Sequence, residues 1–252
     1  MTDLYGPLRE DGPAPLSPLR ALAVGAHPDD IEFGAGATLA RWADAGCRVT
    51  MVIVTDGSKG TWDPAADPAD LARRRIAEQH RAAQILGAAE VVHLGHVDGE
   101  LEYSMRLRAA IARLVRRERP DVVLGHDPWQ RYQMHPDHRV AGWATNDGVV
   151  AARDPLFFPE QLADGLEAHR PTALLLWSAD EPDHLEPAPE PYVERKIAAL
   201  LAHSSQADTT MGGAGREPAA AGVFIERIHA WLATNGAALS GPPGESFKRL
   251  TP

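Results

Sequence analysis

Two short stretches, His27-Pro28-Asp29-Asp30 and His135-Pro136-Asp137-His138, hold the side chains best suited to chemistry. Imidazole and carboxylate groups bind a borderline divalent metal well, and three protein ligands leave a position for water. Between them the two stretches supply such a set, with acid-base groups to spare. Amide hydrolysis needs those parts. A metal lowers the pKa of water to about 7 and polarises the carbonyl. A carboxylate then takes the proton, and an acid must protonate the departing nitrogen. The pattern is that of a metal-activated hydrolase.

The elements that must position these residues can be read from the apolar runs. Strands are expected at Ala21–Ala26, Arg48–Thr55, Glu90–Leu94, Asp121–Gly125 and Ala173–Trp177. Helices are expected at Gly34–Ala45, Pro68–Leu86, Tyr103–Glu118, Pro136–Val150, Pro191–His203 and Val223–Thr234. Gly46 and Gly87 stand where C-terminal helix caps belong, and Pro120 stops the third helix. This alternation predicts an α/β fold, Rossmann-like and doubly wound, with a mostly parallel sheet and helices on both faces. Ligands in such sheets bind at the carboxyl ends of strands, where strand order reverses. With the order 3-2-1-4-5, that point lies between the first and fourth strands and brings the two motifs together. Taken singly, Asp29 and Asp30 would serve as a helix-capping pair, and His135 and His138 as a solvated helix face. Only their conjunction at the strand ends points to chemistry.

Ala26-His27-Pro28-Asp29-Asp30 with the downstream His135-Pro136-Asp137-His138 resembles the LmbE-like (PIG-L) family of metal-dependent de-N-acetylases. The similarity continues through Thr55-Asp56-Gly57, Arg75-Ile76-Ala77-Glu78 and Leu94-Gly95-His96-Val97-Asp98-Gly99. It extends to Lys196, His203-Ser204-Ser205-Gln206 and Glu245-Ser246-Phe247-Lys248-Arg249. The resemblance implies His27, Asp30 and His138 as ligands of zinc, with Fe2+ as the alternative ion, and Asp29 as the base that deprotonates the attacking water. It implies His135 as the imidazole that stabilises the tetrahedral intermediate or protonates the leaving amine, and Asp137 as its orienting carboxylate. Ile31-Glu32 departs from the usual glutamate directly after the aspartate pair, and Ala37 stands where a second glycine is frequent. The implied substrate is an N-acetylated amino sugar or a conjugate of one. Arg75, Asp98, Trp62 or Trp129, and Tyr132 or Gln133 are the expected substrate contacts.

The remaining readings bound the function. At 252 residues and a net charge of -10, the chain is long enough for one full core and too acidic for nucleic acid to be its main partner. The single cysteine, Cys47, allows no internal disulfide and favours the cytoplasm. No run approaches the ~20 apolar residues of a membrane helix. The lysines are only Lys59, Lys196 and Lys248, an arginine bias that hints at a GC-rich bacterial genome. Residues 1–18 read as a flexible N-terminal arm and 19–252 as a single domain. The loops Gly57–Pro68 and Ser204–Ala221 read as mobile lids. Gly34-Ala35-Gly36 lacks a full dinucleotide fingerprint, so NAD is not expected. His93 and His96 lack a carboxylate pair to make a second metal site. Rival functions are an amidase of the same fold that cleaves a larger acyl or thiol-conjugate amide, and a binding protein without chemistry. A homo-oligomer is compatible with the chain, though no surface stripe marks an interface.

Overall fold

The computed structural model describes residues 14–214 and 217–252. The chain runs β1 (Arg20–Gly25), α1 (Asp30–Asp44), β2 (Arg48–Thr55), α2 (Pro68–Leu86), β3 (Glu90–His96), α3 (Met105–Glu118), β4 (Val122–His126) and α4 (Pro136–Arg153). It continues through α5 (Pro159–Ala163), β5 (Ala173–Trp177), β6 (His184–Pro187), α6 (Glu190–Leu201), α7 (Pro218–Ala238) and β7 (Gly244–Leu250). The sheet order is β3-β2-β1-β4-β5-β7-β6. The first five strands are parallel and take the order expected from the sequence.

Alternate residues of each central strand enter opposite cores, as expected for strands covered on both faces. Ala21, Ala23, Met51, Ile53 and Leu124 pack with Leu39, Trp42 and Leu86 of the α1 and α2 face. Leu22, Val24, Val52 and Val123 pack with Ile111, Val115 and Ala144 of the α3 and α4 face. A third cluster joins Val193, Ile197 and Leu200 of α6 to Phe224, Ile228 and Leu232 of α7. Arg116 donates to the carbonyls of Ala151, Ala152, Asp154, Phe157 and Phe158, which seats the C-terminal end of α4.

Several boundaries differ from the sequence reading. Helix α1 begins at Asp30 instead of Gly34 because it consists of two helical pieces around Ala35 (φ −147, ψ 16). The broken backbone finds partners in a buried ion pair. Glu245 accepts the N–H groups of Ala37 and Thr38 at 3.1 and 2.8 Å, while Lys196 donates to the Phe33 carbonyl. The Lys196 ammonium lies 2.6 Å from Glu245 Oε1, and both side chains are fully buried. Sequence periodicity located only the second piece. Strands β6 and β7 were not foreseen; they add antiparallel to the edge at β5. Their alternation of charged and apolar residues over short runs looks like loop until β5 offers a partner. Residues 1–13 of the expected arm and 215–216 of the second expected lid lie outside the described residues. Within the rest of the arm, Leu16 packs on the first core and its carbonyl accepts the Trp42 indole N–H at 3.0 Å. Part of the second expected lid is ordered as a 3₁₀ turn at Ser204–Gln206 and as the start of α7.

Candidate metal and acid-base site

Strands β1 and β4 are parallel neighbours whose following connections lead toward opposite edges of the sheet, so the loops at their carboxyl ends form a crevice. The first motif leaves β1 there, and the second enters α4 beside it. Pro136 occupies the first turn of α4, and His135 is the N-cap, its Nδ1 accepting the Asp137 N–H at 3.3 Å. That start places Asp137 and His138 on the first turn of a helix whose far end is fixed by Arg116.

The donors converge closely, although His27 and His138 are 111 residues apart in sequence. His27 Nδ1 lies 3.2 Å from His138 Nε2 and 3.4 Å from Asp30 Oδ2. Asp30 Oδ1 lies 3.2 Å from His138 Nε2. His135 joins His27 and His138 in one group of mutually close donor atoms. The His27 ring is also ringed by carboxylates: Asp137 Oδ2 is 3.0 Å and Asp98 Oδ1 3.2 Å from its Nε2. Burial works to lower the His27 pKa, but hydrogen bonds from its ring to Asp137, Asp30 and Asp98 push it up to about 12. Such a cluster holds surplus negative charge around one point and calls for a cation there. Two imidazoles and a carboxylate meeting at one point are a donor set that suits a divalent transition ion, which would take the place of the His27 proton.

Asp29 is placed differently from its neighbour. Its backbone is left-handed, at φ 101, a rare conformation for a non-glycine residue. It occupies the N-cap position of α1 without a side-chain capping bond, so the carboxylate is available for other work. Burial raises its pKa to about 6, against the opposing charges of Arg75 and His203. Arg75 Nη2 stands 3.5 Å from Asp29 Oδ1, and Thr210 Oγ1 3.4 Å from Oδ2. Behind it, Gln79 accepts the Asp29 N–H at 3.2 Å and donates to Glu32 at 2.6 Å.

The structure redirects several expected roles. Asp137 was expected to orient His135, yet its carboxylate accepts from the Gly99 N–H at 2.7 Å and the Leu101 N–H at 3.3 Å, and binds His27. It touches His135 through its own backbone N–H. Burial lowers the His135 pKa, and the charges of His27 and His138 add to the effect. Arg75 was expected at the substrate. It lines the cleft, but it is buried beneath Asp29 and donates to the carbonyls of Gly57 and Pro28. Asp98 lines the cleft and also binds the Lys59 N–H at 3.0 Å. Trp62 reaches the cleft and is 77% exposed. Tyr132 stands 88% exposed and is not among the cleft-lining residues, whereas Gln133 is. Trp129 packs edge-on against Trp143, 4.9 Å between centroids.

The cleft has a volume of about 860 Å³. Arg227, Ile228 and Trp231 of α7 form a wall that sequence reading missed, with Thr210 beside them. The face of α7 that meets the cleft is decided by how Phe224 and Leu232 pack on α6, which no local pattern reports. The other motifs prove to be scaffolding that meets in space. Glu78 accepts the Ser205 N–H and both serine hydroxyls of Ser204 and Ser205, and Asp56 accepts the N–H groups of Ser58 and Asp98. His93 rests beside His80, 5.4 Å between centroids, and neither it nor His96 belongs to a metal-binding group among the described residues.

A doubly wound sheet with an imidazole and carboxylate cluster at its switch point is the architecture of an enzyme of metal-site type. Residues 22–152 match the family model described as PIG-L: GlcNAc-PI de-N-acetylase. The chain belongs to that family. It is 36% identical over 187 residues to diacetylchitobiose deacetylase of Thermococcus kodakarensis, an alignment covering 74% of this chain and 70% of that protein. It is 29% identical over 204 residues to the probable N-acetyl-alpha-D-glucosaminyl L-malate deacetylase 2 of Bacillus anthracis, across 78% of this chain and 85% of that one. The solved N,N'-diacetylchitobiose deacetylase of Pyrococcus horikoshii superposes with a TM-score of 0.82 at 28% identity. That superposition covers 93% of this chain and 84% of the other. The enzyme class is therefore that of a deacetylase, acting on an N-acetyl amide. Among the described residues, no helix is long and apolar enough to cross a membrane.

Proposed function

We propose that the protein is a cytoplasmic, zinc-dependent deacetylase that removes the acetyl group from an N-acetylated amino sugar or a conjugate of one. The observation that carries the reading is the convergence of His27, Asp30 and His138, with donor atoms 3.2 to 3.4 Å apart, beside an Asp29 carboxylate that caps nothing. His27, Asp30 and His138 would hold the ion. When bound, zinc supplies a water acidic enough to ionise at neutral pH and a positive charge for the acetyl carbonyl. Ferrous iron suits the same donors. Asp29 takes the proton of the attacking water, kept in place by Arg75 and by its fixed backbone. His135 accepts the Asp137 N–H at Nδ1, so its Nε2 carries the ring proton and can donate a hydrogen bond to the tetrahedral intermediate, while the proton that Asp29 takes from the water is the one returned to the departing nitrogen. Asp137 and Asp98 hold the His27 ring from behind.

The substrate class follows from the cleft and from the relatives. The volume lies toward the upper end of the roughly 300–1,000 Å³ of small-molecule sites, which leaves room for a group beyond one acetamido sugar. Trp62 and Trp231 offer aromatic faces at its walls. The test is amine release from a panel of N-acetylglucosamine conjugates by protein loaded with zinc or iron, beside a His138→Ala control. Release that disappears in the control is expected. Stoichiometric metal without release would move the search to larger acyl groups, and absence of bound metal would remove the reading.

A further inference from the structure

Asp30 faces His27 and His138 on one side and an unassigned histidine, His126, on the other. Its Oδ2 accepts the His27 backbone N–H at 2.7 Å and lies 3.1 Å from His126 Nε2. His126 stands at the end of β4 and is buried. The Trp177 indole N–H, which can only donate, lies 3.1 Å from His126 Nδ1, so that nitrogen must accept. The ring proton is then on Nε2. The Ala26 N–H also approaches Nε2, at 3.3 Å, but the shorter and charge-assisted contact to Asp30 fixes the proton there.

The indole is itself locked in place. Gly34 lies against its face, and a Cβ at that position would stand 2.4 Å from Trp177 Cδ2. The Trp177 and His126 rings meet edge-on with centroids 5.0 Å apart, and His126 stacks on His138 at 4.4 Å and 18°. One imidazole thus touches two of the proposed metal ligands.

We propose that His126, its tautomer set by Trp177, is the positioning residue of the metal site. It saturates Asp30 Oδ2 together with the His27 N–H, which leaves Oδ1 as the oxygen for the ion, and it backs the ring of His138. This rests on the zinc reading above. The usual outer partner of a metal-binding histidine is a carboxylate; here a histidine serves a metal-binding carboxylate, and a tryptophan serves the histidine.

The test compares wild-type protein with Trp177→Phe, His126→Gln and His126→Leu, each stripped of metal. Phenylalanine keeps a ring against Gly34 without an N–H, glutamine keeps an amide donor within reach of Asp30, and leucine keeps neither. Zn2+ affinity is measured by competition with a chromophoric chelator, and the Co2+-loaded forms by absorption. Affinity is expected to fall about 10- to 100-fold in Trp177→Phe and His126→Leu, and by less in His126→Gln. The Co2+ spectrum should shift in the same order. Side-chain 15N spectra of metal-free wild type should show His126 with its proton on Nε2, a readout that requires no variant to fold. Wild-type affinity in all three folded variants, or a proton on Nδ1, would overturn the proposal. A wild-type protein that bound neither Zn2+ nor Co2+ would overturn the zinc reading itself, and this inference with it.

Discussion

Asp137 Oδ2 lies 3.0 Å from His27 Nε2, so the carboxylate of the second motif orients the imidazole of the first. Burial works against the charge on Asp137, but the His27 bond and the Gly99 N–H hold its carboxyl below the usual range. Its replacement by asparagine is expected to weaken metal binding about 10- to 100-fold, as for other outer partners of metal-binding histidines. Titration calorimetry with Zn2+ checks this. Unchanged affinity would mean that Asp98, 3.2 Å from the same nitrogen, suffices alone.

Asp29→Asn separates catalysis from metal binding. The variant should retain stoichiometric zinc while its turnover drops by roughly 10²- to 10⁴-fold, the range for loss of a general base. Metal analysis and amine release on the same preparation decide it. Parallel loss of metal and rate would make Asp29 a ligand and not the base.

Metal removal should be visible in stability. An ion that binds only the folded chain adds about 2.7 kcal/mol when free metal is 100 times its dissociation constant. The thermal midpoint should therefore rise when zinc is returned to chelated protein, and His138→Ala should lose most of that rise.

The Lys196–Glu245 pair is a structural determinant of the α1 break, which sits one turn beyond Asp30. Lys196→Met leaves a buried, unpaired carboxylate and should cost about 3–5 kcal/mol in urea denaturation. Adding Glu245→Gln removes the lone charge while keeping an acceptor for one of the Ala37 and Thr38 N–H groups, so part of the loss should return. Additive losses would contradict the pairing.

Cys47 is 6% exposed, and burial together with the Asp121 charge pushes its thiol up to about 11. The raised value means that the folded chain keeps a proton that the unfolded chain gives up from about pH 9. This share of stability is complete below about pH 9 and is lost as pH climbs toward 11. Cys47→Ala should show a flatter decline over that window. A disulfide reagent at pH 7 should label the native protein only at the rate at which it opens.

The two motifs of the candidate site and the first five strands were legible in the sequence because both depend on short-range features. Apolar runs fix the strands, a proline fixes the start of α4, and imidazole and carboxylate chemistry depends on residue type. Given the strand order, the meeting of His27 with His138 follows. Tertiary structure decided what remained. Whether Asp137 serves His135 or His27 turns on side-chain directions after two loops dock, and neighbours in sequence proved not to be partners in space. Arg75 was expected to touch substrate, but the turn of α2 carries it beneath Asp29. The wall made by Arg227 and Trp231 exists because α7 packs on α6, and the α1 break exists because Lys196 and Glu245 arrive from distant chain to satisfy its backbone. Hydrogen-bond directions between distant segments are set only when the chain closes, so they are written in the fold and not in any local stretch of sequence.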